Sequence, residues 1–176
     1  MYSAGIECGH DNIICYISQT ITKPSGIMNR KLFSIDESLG FWVYRMHTQS
    51  CAVLKRAFQD AGHDITPEQW GLMVRLRENQ GINQSRLGEK AYKDRHNTTR
   101  IVKQLVKRGL IERRPDEIDK RAYNLFITES GQVALEALAQ IAFNHYTIVF
   151  NGLPAEDLRA MRRILKHIVN NLEGLN

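Results

Sequence analysis

The segment from Arg95 to Arg108 combines apolar and hydrogen-bonding residues in a pattern that suits contact with nucleic acid. A helix advances about 100° per residue, so one side would carry the buried residues Thr98, Ile101, Val102, Leu105 and Val106. The other side and its margins would carry hydrogen-bonding residues: Arg95, His96, Asn97, Thr99, Arg100, Lys103, Gln104 and Lys107. Arg and Lys can bind guanine edges in the major groove, and Asn and Gln can bind adenine edges. The pattern predicts a helix that reads DNA.

The charge distribution distinguishes this prediction from an ordinary solvated helix, which also has a polar face. A soluble helix usually mixes both signs of charge, but this one has no acidic residue after Asp94. The chain has 24 Lys and Arg against 19 Asp and Glu, and residues 82–128 hold 12 of the basic and 6 of the acidic ones. The positive charge is therefore concentrated around the predicted reading helix, as expected for binding to a polyanion.

A charged β-hairpin is predicted directly after this helix. The pattern is a strand over residues 110–114, a turn over residues 115–120, and a return strand with alternating Tyr123, Leu125 and Ile127. The hairpin adds four cations, Arg113, Arg114, Lys120 and Arg121. Two consecutive elements would then present the same charge to one partner.

The remaining elements are predicted to be helices, each with a recognisable start. Ser34 and Glu37 have capping-box spacing before a long first helix that ends at Gly62. Thr66, Pro67 and Gln69 supply a cap, a first-turn proline and a box partner for the second helix. Asn83 and Asp94 would cap two short helices joined by a tight turn, and two more helices would begin at Glu129 and after Pro154. The fold class is mainly α with a small β-hairpin (α+β).

Composition narrows the class of protein. The 176 residues are 43% apolar and 24% charged, which suits one globular domain. Cys8, Cys15 and Cys51 are too few and too irregular for a disulfide framework or a zinc ribbon. No apolar run reaches the roughly 18 residues of a membrane span, and the first 27 residues lack the pattern of a secretion signal. We expect a cytoplasmic protein without a membrane partner, in which residues 1–27 are either a native arm or precede a true start at Met28.

The hairpin sequence resembles the wing of MarR-type regulators, and the spacing matches throughout. The matching residues are Leu110, Ile111, Glu112, Arg113, Arg114, Pro115, Asp116, Asp119, Lys120, Arg121, Ala122, Leu125, Ile127, Thr128 and Gly131, with Thr99, Arg100, Leu105 and Gly109 upstream. The resemblance extends more loosely over residues 34–172. It implies an obligate dimer with a winged helix-turn-helix lobe (63–128), a helical dimerisation base (34–62 and 129–176) and an N-terminal arm or extension (1–33).

The resemblance also implies what the partners and contacts are. The partner would be double-stranded DNA with a pseudo-palindromic operator, bound by a homodimer that acts as a repressor. Arg121 would enter the minor groove, and Asp119 would orient it through a charge-assisted pair; otherwise Asp119 is an ordinary turn residue. From the residues themselves, the predicted DNA contacts are Arg95, His96, Asn97, Thr99, Arg100, Lys103 and Lys107 of the reading helix and Arg114, Lys120 and Arg121 of the hairpin, to which the resemblance adds Asp119.

Relatives of this type often bind an aromatic or phenolic effector between the base and the reading lobe. Tyr44, His47, Trp70 and Arg77 lie on helices that would border such a crevice, although aromatics at helical spacing also form ordinary cores. His47, one turn before Cys51, could lower the thiol pKa for redox sensing, or Cys51 could be a small buried residue. His47 and Cys51 could also bind a metal, but two ligands without others nearby are poor evidence for a metal site, so no metal is expected.

Two other classes of function compete with this prediction. The sequence contains no phosphate loop, zinc-protease motif, dinucleotide fingerprint or nucleophile elbow, so neither an enzyme nor a cofactor is expected. A winged helix used only for protein contact is the other alternative, but such modules tend to lose the basic reading face. A steep dependence of binding on salt would separate a DNA-binding protein from such a module.

Overall fold

The computed structural model describes residues 35–119 and 122–175, and it divides into two compact units at Met46 and His47. In the first unit, a 3-10 turn over Ile35–Glu37 precedes the first helix, and the Trp42 indole N–H donates to the Asp36 carbonyl at 2.6 Å. Ser38 Oγ accepts from the Phe41 amide at 3.4 Å, so this helix begins at Leu39 rather than at Ser34 as predicted. Ser34, the N-terminal arm, Met28 and two of the cysteines lie outside the described residues.

The described chain contains six helices and three strands. The helices are α1 (Leu39–Asp60), α2 (Pro67–Glu78), α3 (Gln84–Lys90), α4 (Arg95–Lys107), α5 (Glu129–Val149) and α6 (Ala155–Glu173). The strands are β1 (Ile82–Asn83), β2 (Ile111–Pro115) and β3 (Tyr123–Ile127), arranged antiparallel in the order β1-β3-β2. The prediction of a mainly helical fold with a β-hairpin wing is confirmed, but β1 was not predicted.

The helix starts follow from short-range capping, as predicted. Thr66 Oγ1 accepts from the Gln69 amide at 3.2 Å, and Gln69 Oε1 accepts from the Thr66 amide at 3.0 Å. Asn83 Oδ1 accepts from the Arg86 amide at 3.0 Å, and Asp94 Oδ1 accepts from the Asn97 amide at 2.8 Å. Each cap satisfies an amide that would otherwise have no partner in the first turn of its helix.

The second unit has a core that fixes α4 against the rest of the lobe. Thr98, Ile101, Val102 and Leu105 of α4 are buried, and the last three join Leu72, Leu87, Leu125 and Leu135 in one cluster. The α3 helix lies so close to α4 that a Cβ on Gly88 would be only 2.8 Å from Thr98 Oγ1. The predicted buried side of the reading helix is therefore confirmed, with Val106 only half-buried.

The wing joins the core at its base. Ile111 and Leu125 are buried, and a Cβ on Gly131 would lie 2.0 Å from the Leu110 carbonyl oxygen. Only glycine permits this approach of α5 to the start of β2. The base of the wing and the first turn of α5 are thus packed backbone against backbone.

The last helix, α6, differs from the other helices in burial, because none of its described residues is buried within the chain. Leu172 of α6 is 55% exposed. In α5, Phe143 is 65% exposed and Ile148 is 75% exposed. Within residues 35–119 and 122–175, no helix has both the length and the apolar character needed to cross a membrane.

Candidate nucleic-acid interface

Helix α4 presents most of its predicted DNA-binding residues to solvent. Arg95, His96, Arg100, Lys103, Gln104 and Lys107 are exposed, and Asn97 and Thr99 are half-buried. The Thr99 hydroxyl donates to the Arg95 carbonyl at 2.7 Å. Its single hydrogen is therefore already used, and in this arrangement Thr99 can act towards another group only as an acceptor.

Arg100 is held at the centre of this face by two neighbours. Its NH2 donates to Asn97 Oδ1 at 2.6 Å and lies 3.6 Å from Glu68 Oε2 at the start of α2. The other oxygen of Glu68 accepts from Lys93 Nζ at 3.2 Å. A carboxylate that the sequence analysis did not identify thus lies between two cations beside the reading face.

Gln104 is linked to the lobe beneath it. Its Oε1 accepts from Gln69 Nε2 at 2.9 Å, and Gln69 is only 5% exposed. Arg108, just after α4, pairs with Asp64 and also reaches Gln69 Oε1 at 3.4 Å. These contacts anchor the end of α4, and the spacing of Asp64 and Arg108 along the chain could not have revealed them.

The two neighbouring arginines of the wing have different surroundings. Arg114 Nε donates to Glu112 Oε1 at 2.9 Å, and its guanidinium carbon lies 4.3 Å from the centre of the Phe126 ring. Arg113 NH2 donates instead to Gln84 Oε1 at 3.3 Å. The predicted contact Arg114 is thus engaged by an acid and an aromatic ring, whereas Arg113 lies toward α3.

The wing turn is organised by Asp116. Its Oδ1 accepts from the amides of Ile118 and Asp119 at 2.9 and 3.0 Å, and its Oδ2 accepts from Asn124 Nδ2 at 2.7 Å. Asp119 is exposed, and its carbonyl accepts from the Ala122 amide at 2.9 Å. Lys120 and Arg121 lie outside the described residues, so the pair predicted between Asp119 and Arg121 stays a prediction.

The four predicted effector contacts have different environments. Tyr44, His47 and Arg77 are exposed. Trp70 packs edge-to-face on Phe58, with ring centres 6.0 Å apart, and its buried indole N–H has no hydrogen-bond partner among the described residues. None of the four lines the groove of about 740 Å³ bordered by Tyr92, Tyr146, Phe150, Arg162 and Lys166.

Tyr92 gives this groove a direct connection to the reading helix. It lies in the turn between α3 and α4, and its φ of 52° is in the left-handed region. Few residues other than glycine adopt this region. The Tyr146 and Phe150 rings, 4.6 Å apart, also line the groove. Nothing in the sequence analysis pointed to Tyr92.

The Cys51 thiol lies near His47, one helical turn away on α1. Sγ is 3.8 Å from His47 Nε2. Burial raises the pKa of Cys51, the Glu68 carboxylate raises it further, and Lys93 lowers it. Desolvation is the largest of these effects, so the thiol pKa is raised rather than lowered, and redox sensing by Cys51 stays a prediction. Within the described residues, no three His, Cys, Asp or Glu side chains lie together as metal ligands would.

Comparison with known proteins identifies the family. A sequence profile of the MarR family matches residues 65–123. The HTH-type transcriptional regulator YybA of Bacillus subtilis (strain 168) is 31% identical over 110 residues, which cover 62% of this chain and 73% of YybA. The crystal structure of a probable transcriptional regulator from Pseudomonas aeruginosa is 27% identical, with a TM-score of 0.71 over 77% of this chain and 99% of that one.

A third comparison supports the fold. The transcriptional repressor CouR, solved bound to a 23-mer DNA duplex, has a TM-score of 0.70 at 22% identity and covers 78% of this chain and 99% of its own. The profile spans α2 to the start of β3, the helices and wing described above. This chain belongs to the MarR family of winged helix-turn-helix transcriptional regulators.

Proposed function

We propose that this protein is a homodimeric repressor that binds a pseudo-palindromic operator with α4 in the major groove and the wing beside the minor groove. The observation that carries the proposal is the exposed face of α4, which has several cations and no acidic residue. A helix of this diameter fits the major groove, and its cations would replace counterions on the phosphates. The repressor CouR, which has the same fold, was solved on DNA.

The proposed DNA contact of each residue follows from its position. Arg100 and Lys103 lie on the exposed face of α4, where they could bind base edges or phosphates. Lys107 would bind backbone phosphate beside them. The resemblance to the family assigns Arg121 to the minor groove and Asp119 to its orientation, with Lys120 next to them.

The proposed dimer rests on apolar surface that the single chain leaves exposed. Ile164, Ile168 and Leu172 form one stripe along α6, and each is more than 40% exposed. Covering such a stripe with a second copy would remove it from water. Residues 34–62 and 129–176 would then form the base, and residues 63–128 the reading lobe, with two reading helices about one DNA turn apart.

We propose the Tyr92 groove as the place where an aromatic anion acts. Tyr92, Tyr146 and Phe150 supply aromatic walls, and Arg162 and Lys166 supply positive charge. Occupancy would be transmitted through the Tyr92 turn, which directly precedes α4. Isothermal titration with benzoate and hydroxybenzoates tests this: binding that Tyr92→Ala and Lys166→Ala both weaken supports the groove, and binding that neither variant changes rejects it.

Selection from a random-sequence duplex pool is the test of DNA recognition. The enriched duplex should show two related half-sites, and its binding should weaken steeply with salt. Sedimentation should show a dimer both free and on DNA. Arg100→Ala and Arg121→Ala should each weaken binding by about 1–3 kcal/mol while the dimer stays intact. Unchanged affinity for both variants would reject the helix and wing assignments together.

The same experiment addresses the alternative of a protein-interaction module. Such a module would enrich no sequence and would bind the pool and a scrambled duplex equally weakly. A regulator that needs an effector for binding would enrich a sequence only when the pool contains that effector, so the selection is repeated with hydroxybenzoates present.

A further inference from the structure

A chain of hydrogen bonds joins the wing to the reading helix. Arg113 NH2 of β2 donates to Gln84 Oε1 at 3.3 Å, and Gln84 Nε2 donates to Thr99 Oγ1 at 2.8 Å. The Thr99 hydroxyl then donates to the Arg95 carbonyl at 2.7 Å. Gln84, the first residue of α3, therefore connects β2 to the first turn of α4.

The chemistry of the groups fixes the direction of this chain. A guanidinium can only donate, so it must face the amide oxygen of Gln84. Because the Thr99 hydrogen is used on the Arg95 carbonyl, Thr99 must accept, and so it must face the amide nitrogen. Rotating the Gln84 amide by 180° would place two donors against each other at Arg113. One orientation of Gln84 therefore satisfies both partners.

The position of Gln84 is itself set by the sheet. Asn83 of β1 pairs with Asn124 of β3 and also caps α3, so the residue that follows it is held at the sheet edge. Across the wing, Arg113 is opposite the buried Leu125, and Arg114 is opposite Asn124. Adjacent strand residues point to opposite faces. Arg113 therefore lies on the core side of the wing, toward α3 and α4, and Arg114 lies on the other side.

We propose that Gln84 is a positioning residue that holds the Arg113 guanidinium beside the start of α4, where it binds DNA backbone phosphate together with the reading helix. This inference rests on the proposed function. Among the described residues, Gln84 is the only hydrogen-bond partner of Arg113, and it engages one NH2 group of a side chain with five N–H donors. The remaining donors form a fork that suits a phosphate. Preorienting this fork lowers the side-chain entropy lost on binding.

The experiment is a double-mutant cycle on the duplex enriched from the random pool. Affinities of wild type, Gln84→Ala, Arg113→Ala and the double variant are measured by anisotropy at four salt concentrations. Arg114→Ala removes the same charge from the other side of the wing. Arg75→Ala is a charge control outside the wing and α4: Arg75 is on α2 and pairs with Glu78 at 3.2 Å. Thermal melting checks that all variants are folded.

Arg113→Ala should weaken binding on the order of tenfold and reduce the slope of log K against log salt by about one. Arg114→Ala should lose less affinity than Arg113→Ala, and Arg75→Ala should match the wild type. Gln84→Ala should weaken binding several-fold in the wild type, but by less than about twofold when Arg113 is already alanine. This coupling is a readout that a merely destabilising substitution would not give.

Two results would overturn the inference, and they differ from failure of the proposed function. If the Gln84→Ala and Arg113→Ala losses simply multiply, Gln84 does not act through Arg113. If Arg113→Ala leaves the salt slope unchanged, Arg113 does not bind phosphate. In either case the wild type still binds its enriched duplex, whereas failure of the proposed function would appear as no enrichment at all.

Discussion

The buried Gln69 side chain donates from Nε2 to Gln104 Oε1 at 2.9 Å, and its Oε1 accepts from the Thr66 amide at 3.0 Å. One amide thus completes the capping box of α2 and anchors the C-terminal half of α4. Gln69→Ala leaves both partners without it, so the free energy of unfolding should fall by about 1–3 kcal/mol. Urea denaturation measures this.

Gln69→Glu is the matched control for that substitution. Glutamate keeps the acceptor for Thr66 and adds attraction to Arg108, but it turns an acceptor oxygen toward Gln104 Oε1, so the exposed Gln104 amide must rotate to donate to it. Its stability should therefore lie closer to that of the wild type. Equal losses for the two variants would show that the buried contact with Gln104, rather than the capping box, carries the effect.

Glu68 places negative charge beside the reading face, 3.2 Å from Lys93 Nζ and 3.6 Å from the Arg100 guanidinium. Phosphates approaching this face must compete with the carboxylate. Glu68→Gln should therefore raise DNA affinity several-fold at low salt, with the gain shrinking as salt screens the charge. Glu136→Gln on α5 makes the same change in net charge. An equal gain in DNA affinity from this variant would show that net charge, and not the position of Glu68, causes the effect.

Gly131 allows α5 to contact the backbone at the base of the wing. A Cβ there would lie 2.0 Å from the Leu110 carbonyl oxygen. Gly131→Ala should lower stability by about 1–3 kcal/mol, because backbone must move to admit the methyl group. Gly71→Ala in α2 meets no atom within 4 Å and should instead raise stability by about 0.5–1 kcal/mol. Chemical denaturation of the pair separates steric conflict from helix propensity; a stabilised Gly131→Ala would contradict the packing.

Asp94 makes the start of the reading helix sensitive to acid. The Asn97 backbone amide holds the pKa of Asp94 below its ordinary value of 3.8. A lowered folded-state pKa stabilises the protein above the unfolded-state value, and this contribution is lost as pH falls through the folded-state value. Asp94→Asn keeps the cap without the charge.

The comparison with Asp94→Asn gives the pH test. Wild type should melt above Asp94→Asn near neutral pH, since the carboxylate also favours the helix N-terminus. The difference should begin to shrink as pH falls below about 5 and should disappear once pH is below the lowered folded-state pKa of Asp94. Calorimetry at several pH values measures it. A difference that stays constant over this range would show that the charge of Asp94 does not contribute.

The elements that could be predicted from the sequence are those defined by nearby residues. Thr66 and Asp94 cap helices through partners three residues away, so local spacing was enough. The strand β1 has only two residues and exists because Ile82 pairs with Leu125, far along the chain. No periodicity can appear in two residues. Its absence from the prediction has a physical cause.

The same distinction holds for the candidate site. Periodicity alone placed Arg100 on the exposed face of α4. It could not show that Glu68 lies beside Arg100 or that Gln104 bonds to a buried glutamine, because both contacts cross between helices. For the wing, alternation along β2 already separates Arg113 from Arg114, but only the pairing with Leu125 shows which of them lies on the core side.

The left-handed backbone of Tyr92 allows one substitution to separate loss of a ligand contact from loss of stability. A side chain in this conformation costs about 1–2 kcal/mol relative to glycine, so Tyr92→Gly should melt at a higher temperature than the wild type while the aromatic wall of the groove is removed. Most substitutions in a binding site can weaken binding either by removing a ligand contact or by destabilising the fold, and a loss of binding alone does not tell which. At this position the two effects have opposite signs, so a Tyr92→Gly variant that is more stable but no longer responds to the proposed aromatic anion would have lost the groove contact and not its fold.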